Sequence, residues 1–268
     1  NVSVTDVVGS IVISSNTAQD EFSDGNYTSG PLTWTATAGD FTVDSSGLYG
    51  SGNCTDVLGN YLNSTGVTLS SGSWKFNFRI LNNGAGGSFC GQGSVDQDCL
   101  DFRFMKNAGG SFYTFVINDG PNTADATKTI SLKKNITGTV TVLAETTLSI
   151  TNDVVVTFKI ERNANGVTRL LADDVFVSSF TDTAISSSTR LEIGLSCSPP
   201  ATNFRRYVDE LYAFRYHQFG QITSQTFDTV FSTTIWGTFR STFTNNSGES
   251  EGNVAFYTQA SSDGSTWD

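Results

Sequence analysis

A single histidine in 268 residues leaves little room for imidazole chemistry. His217 lies in Tyr216-His217-Gln218, where a junction between two parts of the chain accounts for it, and it has no Ser/His/Asp setting for nucleophilic catalysis. No His/Cys spacing offers zinc a site, and no glycine fingerprint of the G-x-G-x-x-G or G-x-x-x-x-G-K kind offers a nucleotide one. Basic residues are also scarce. Fifteen Lys and Arg against 26 Asp and Glu give −11, with only 15% of residues charged. That balance repels phosphate backbones and anionic lipid, so nucleic acid is excluded as the expected partner. No run approaches the roughly 18 apolar residues of a membrane helix, and no membrane insertion is expected. No leader opens the sequence at Asn1, so any signal peptide is expected to have been removed or to lie outside it. Ala, Leu, Glu and Lys are too sparse to favour helices.

What remains is strand material. Hydrophobic residues make up 37% of the chain, 20 of them Phe, which suffices for a core. Alternation with a period of two is plain in Trp74-Lys75-Phe76-Asn77-Phe78-Arg79-Ile80, in Leu100-Asp101-Phe102-Arg103-Phe104 and over residues 154–161. Further β-rich runs cover residues 33–37, 112–117, 130–132, 140–143, 167–171, 175–180, 191–195 and 208–216. Turn signals such as Asn163-Ala164-Asn165-Gly166 and Asp173-Asp174 separate them. Many short, evenly spaced strands predict an all-β sandwich or jelly roll.

Three parts are expected along the chain. Residues 1–17 form a leading strand or linker, residues 18–217 the main sandwich, and residues 218–268 the opening strands of a second sandwich. Four cysteines allow three pairings; the expected one is Cys90–Cys99, closing a Gly-rich loop, with Cys54–Cys197 as the long-range bridge. Six N-x-S/T sequons begin at Asn1, Asn26, Asn53, Asn63, Asn135 and Asn245. Paired cysteines and sequons together predict an extracellular or cell-surface location.

The segments Asp20-Glu21-Phe22-Ser23-Asp24-Gly25-Asn26-Tyr27, Gly39-Asp40-Phe41-Thr42-Val43, Trp74-Lys75-Phe76, Leu100-Asp101-Phe102-Arg103-Phe104, Asn165-Gly166 and Val208-Asp209-Glu210-Leu211-Tyr212 carry a resemblance. Together they resemble the concanavalin A-like lectin/glucanase (laminin-G-like) modules of secreted bacterial surface proteins, over about 200 residues. The resemblance implies a concanavalin A-like jelly-roll β-sandwich whose closing strand pairs with its opening one. It also implies a single Ca²⁺ held between those segments by Asp20, Asp24 and Asp209. A second acidic group, Asp96, Asp98 and Asp101, offers another place for a cation. Hydrolases of this fold carry E-x-D-x-E along a strand; here no Glu has an Asp two residues later, and Glu192 and Glu210 lack a second carboxylate at that spacing. The G-x-S-x-G match at residues 248–252 lies in an acidic loop and carries no nucleophile elbow.

Sugar rings stack on aromatic faces, and the rings expected in exposed loops are Tyr27, Tyr49, Tyr61, Phe89 and Tyr113. The function expected is a non-catalytic extracellular module for carbohydrate recognition or adhesion, with a glycan as partner. The alternative is a structural subunit of a filament, stalk or surface layer, joined to neighbouring subunits or to copies of itself through β-strand contacts. Glycoside hydrolysis stands third.

Overall fold

The computed structural model describes residues 18–20, 22, 25–28, 32–36, 41–50, 61–64, 67–82, 98–118, 127–195 and 204–214. Among these there is no helix. The strands are β1 (Ala18–Asp20), β2 (Trp34–Thr35), β3 (Phe41–Asp44), β4 (Gly47–Gly50), β5 (Leu62–Ser64), β6 (Gly72–Asn82), β7 (Asp98–Lys106) and β8 (Phe112–Asn118). They continue as β9 (Thr127–Ile136), β10 (Thr139–Ser149), β11 (Val156–Arg162), β12 (Val167–Ala172), β13 (Val175–Thr181), β14 (Arg190–Leu195) and β15 (Phe204–Phe214).

Two antiparallel sheets face each other. The first runs β13-β12-β11-β6-β15-β4-β3, with β1 also paired to β15; the second runs β10-β9-β8-β7-β14-β5-β2. The opening strand therefore pairs with the closing one, Ala18 opposite Ala213 and Asp20 opposite Leu211. Chain contacts separate two compact units, Asn1–His217 and Gln218–Asp268. The expected second sandwich lies outside the described residues, as does His217.

Alternation builds the core. Trp74, Phe76, Phe78 and Ile80 of β6 are buried, whereas Lys75, Asn77 and Arg79 stand half-buried on the outer face. Leu100, Phe102 and Phe104 of β7 answer from the other sheet. Phe76 lies 5.0 Å from Phe102 and 5.9 Å from Phe115, ring centre to ring centre, in tilted or edge contacts that suit aromatic quadrupoles. Each fully buried Phe contributes about 1.5–3 kcal/mol of transfer free energy.

Turn chemistry fixes the hairpins. Asp173 and Asp174, with φ of 49° and 61°, form the two-residue link from β12 to β13; paired left-handed residues match the strand twist. Gly166 has φ +80°, and a Cβ there would sit 2.5 Å from the Asp182 carbonyl oxygen, so only glycine fits. The run expected from residue 154 begins at Val156; Val154 and Val155 stay exposed at 50% and 46%. They are apolar but precede the pairing with β6, which starts at Val156–Phe78.

Candidate functional site

The outer face of the second sheet carries a connected group of charged, polar and aromatic side chains. Its construction begins with an irregularity in β7. Regular alternation points Leu100, Phe102 and Phe104 inward and Asp101 and Arg103 outward. Continued unchanged, it would bury Lys106. A register shift between Phe102 and Met105 lets both Phe104 and Met105 enter the core, each 0% exposed, and re-aims Lys106 outward. Arg103 lies opposite Glu192 of β14, and Lys106 opposite Arg190, so four charges from two strands converge.

Glu192 is the hub. Arg103 Nη1 donates to its Oε2 at 2.8 Å, and Lys106 Nζ reaches both oxygens at 2.6 and 2.8 Å. Arg190 Nε lies 2.8 Å from Oε1. Glu192 is only 2% exposed, a depth at which a carboxylate needs such partners. The Arg103 guanidinium lies over two rings, 3.7 Å from the centre of Tyr61 and 4.1 Å from that of Phe112. Each such contact is worth about 0.5–2 kcal/mol, according to how far it is desolvated. The second nitrogen of Arg103, Nη2, lies 3.4 Å from Asp101 Oδ2.

Asp101 completes the group. Its Oδ2 accepts from the Tyr61 hydroxyl at 2.6 Å, and its Oδ1 accepts from the Thr114 hydroxyl. Burial, with the Asp101 carboxylate beside it, pushes the Tyr61 hydroxyl well above the ordinary tyrosine value, so it stays a donor. Asp98, at the start of β7, accepts from Asn118 Nδ2 at 3.1 Å, and burial pushes its carboxyl up. Chemically the face offers fixed N–H and O–H donors, a ring-clamped guanidinium and two saturated carboxylates.

The residues expected from sequence divide. Tyr61 belongs to this face. Tyr113 is not in an exposed loop, and the expectation is corrected: it lies on β8, 0% exposed, stacked on Phe104 at 6.2 Å, with its hydroxyl donating to Asp182 and accepting from Ile185 N at 3.2 Å. A buried tyrosine is stable when its hydroxyl finds partners. Tyr49 is also on a strand, β4, on the outer face of the first sheet, with its ring 5.3 Å from Tyr207 and Arg205 above it at 4.5 Å. Tyr27 is half-buried and packs on the core. Phe89 lies outside the described residues. Phe112, which sequence reasoning passed over, is the second ring of the site; its signal was its parity in the Phe112-Tyr113-Thr114-Phe115 run.

Asp20 accepts from Phe22 N at 2.9 Å and from Trp34 Nε1 at 2.8 Å, which links β1 to β2 and takes up one lone pair on each oxygen. Asp209 is half-buried on β15, opposite Asn77, and Asp24 lies outside the described residues. Asp96 also lies outside them, while Asp98 and Asp101 hold the protein donors above. Among the described residues no group of three His, Cys, Asp or Glu is arranged to hold a metal ion.

Cys99 is buried on β7 and disulfide-bonded; Cys54, Cys90 and Cys197 lie outside the described residues. Of the sequon residues, Asn26 accepts from Thr28 N at 2.8 Å in a local turn. Asn63 donates to the Tyr61 carbonyl at 2.9 Å, and Asn135 accepts from Gly138 N at 2.8 Å. Asn1, Asn53 and Asn245 are outside the described residues.

No protein-family model matches the sequence, and no curated protein matches it significantly. Among solved structures, the Ca²⁺-bound exoplasmic/lumenal domain of VIP36 is similar at 12% identity and a TM-score of 0.50, over 76% of this chain and 92% of that one. A β-glucanase of Bacillus licheniformis is similar at 10% identity and a TM-score of 0.48, over 75% and 98%. The carbohydrate binding module CBM66 of Bacillus subtilis is similar at 14% identity and a TM-score of 0.46, over 66% and 92%. Two antiparallel sheets joined in this order are the concanavalin A-like jelly roll that the sequence resembles.

Proposed function

We propose that this chain is a non-catalytic extracellular module that recognises carbohydrate through the outer face of its second sheet. The observation that carries the reading is the Arg103 clamp: a guanidinium set over the rings of both Tyr61 and Phe112, beside donors and acceptors fixed in place. Saccharides are bound by such planar, preorganised polar groups next to ring edges. The disulfide of Cys99 supports an oxidising compartment, and the sequons accord with export.

The same contacts argue against hydrolysis. A glycosidase needs one carboxyl free to give a proton and a second free to attack or to activate water. Glu192 is enclosed by three cations, and both oxygens of Asp101 hold hydroxyl donors. Arg103 stands between the two carboxylates.

On a glycan array the protein is expected to retain a defined subset of saccharides. Retention should be the same with calcium or with a chelator, because the carboxylates of this face already hold protein donors. No reducing ends should appear from β-glucans. Flat binding across the array overturns the reading, and measurable turnover overturns its non-catalytic part.

One observation favours a second reading, a structural subunit joined by β-strand contacts. Strand β10 is an edge of the second sheet, with Val140 59% and Val142 50% exposed and a single charge, Glu145, among its eleven residues. Natural edges usually carry lysine, proline or a short strand to prevent pairing; this one has only a register shift between Val142 and Ala144. An antiparallel pairing of two copies centred on Thr141 would set Val140 against Val142 twice and keep the two glutamates apart. Sedimentation at about 100 µM should then show self-association that Val142→Lys abolishes, a concentration at which even weak edge contacts with Kd near that value are half-populated. A monomer at that concentration removes the structural reading and leaves the first intact.

A further inference from the structure

We propose that the saccharide bound by this face is anionic, carrying a carboxylate or a sulfate ester that docks against Arg190 and Lys106. The inference rests on the carbohydrate reading and specifies its ligand class.

Charge counting at the β7–β14 end of the face gives the first argument. Arg103, Lys106 and Arg190 supply three positive charges and Glu192 and Asp101 two negative ones, so 3 − 2 leaves an excess of one. Three of the chain's 15 basic residues thus gather on one buried carboxylate in a protein of net charge −11. Farther along the face Asp98, which interacts with Lys133, and Glu145 keep charges of their own, so the excess belongs to the β7–β14 end alone.

Donor counting gives the second. Two guanidinium groups and an ammonium carry many more N–H groups than four carboxylate oxygens accept, and both oxygens of Asp101 already hold hydroxyl donors. Glu192 is already shared by all three cations, so the solvent-facing donors of Arg190, 41% exposed, are open to water or to the acceptors of a ligand. A neutral sugar offers hydroxyls, which donate as readily as they accept. A carboxylate or sulfate brings only acceptors together with the compensating charge.

Access gives the third. The Arg190 side chain is 41% exposed and the Lys106 side chain 12%, with Lys106 Nζ 5.7 Å from the centre of Phe112. An incoming anion therefore meets Arg190 first, with Lys106 behind it.

The test uses the whole chain and three immobilised polysaccharides: polygalacturonate as the uronate, dextran sulfate as the sulfate ester, and laminarin as a neutral control. Binding to at least one of the two polyanions is expected at 50 mM NaCl, falling at least tenfold at 500 mM, where screening confines Coulomb attraction to a few ångströms. Since a chain of net −11 is repelled by polyanions as a whole, retention would report a local site. The two anionic arms separate uronate from sulfate. Arg190→Gln should weaken the retained polyanion about tenfold and, because it takes one of three partners from the buried Glu192, lower the melting temperature by a few degrees, with binding read well below that midpoint; Arg190→Lys should restore most of both. Binding to laminarin alone overturns the anionic inference and leaves carbohydrate recognition standing. Binding to none of the three, with a blank glycan array, overturns both. Polyanion binding indifferent to Arg190→Gln overturns this placement of the site.

Discussion

Arg162→Met is expected to destabilise the first unit by about 3–5 kcal/mol, the range for breaking a buried charged network. Arg162 is 2% exposed and ends β11. Its Nη1 donates to the Gly166 carbonyl at 3.0 Å and to the Thr168 hydroxyl at 2.9 Å; its Nη2 donates to the Asp182 carbonyl at 2.8 Å. A longer contact, 3.4 Å, reaches the Ile185 carbonyl, and the guanidinium sits 4.8 Å from the ring centre of Tyr113. One side chain thus fastens the β11–β12 turn and the stretch after β13 to the second sheet. Methionine fills the volume but leaves these buried carbonyls unmatched, at about 1–3 kcal/mol each where no water replaces the donor. Burial also draws the guanidinium pKa down from its ordinary value, which shows how completely this cation depends on its acceptors. Lysine should recover little, since an ammonium cannot span the planar fork. Thermal unfolding followed by circular dichroism should show a midpoint lowered by roughly 6–20 °C, at about 2–4 °C per kcal/mol for a domain of this size. A fall of less than 2 °C would show that the network is dispensable.

The strands that pack on both sides of the core were the most legible. Over Trp74–Ile80, Leu100–Phe104 and Val156–Ile160 large apolar and polar residues alternate with the pleat, because one face must be buried and the other need not be. Strand β10 was seen only as residues 140–143, although it runs to Ser149. Being an edge strand exposed on most of its length, it is under no pressure to alternate. Its hairpin with β9 turns at Thr137-Gly138, where a threonine takes φ 48° and no Asn-Gly or Asp-Gly signal marks the reversal.

The candidate site was less legible, for a geometrical reason. Glu192 was seen to lie on a strand without a second carboxylate at the right spacing, and along its own strand that is true. Its companions stand on β7, across a sheet pairing that joins residues 89 apart. Spacing within one strand carries no trace of such a register. Lys106 was hidden for a different reason: only the irregularity at Phe102–Met105 turns it outward, and alternation alone would have buried it. Tyr113 shows the opposite error. It was expected in an exposed loop as a ring for sugar stacking, whereas partners at Asp182 and Ile185 make its burial on β8 tolerable.

Arg103→Ala is expected to abolish carbohydrate binding to within detection, a loss of at least a hundredfold, about 2.7 kcal/mol. The side chain does three things at once. It covers the Tyr61 and Phe112 rings, it holds Glu192 at 2.8 Å, and it lies 3.4 Å from Asp101. Removing it takes from two buried carboxylates the cation that both contact, and frees both rings to reorient. Stability should fall as well, by about 2–4 kcal/mol, less than for a pair left with no partner because Lys106 and Arg190 still serve Glu192. Arg103→Lys separates the two effects. An ammonium can restore the charge beside Glu192 and hence most of the stability, but it cannot lie over two rings and reach two carboxylates together. The lysine variant should therefore melt close to the parent and still bind at least tenfold more weakly. Equal binding by parent and lysine variant would show that charge alone recruits the saccharide and that the clamped guanidinium plane plays no part.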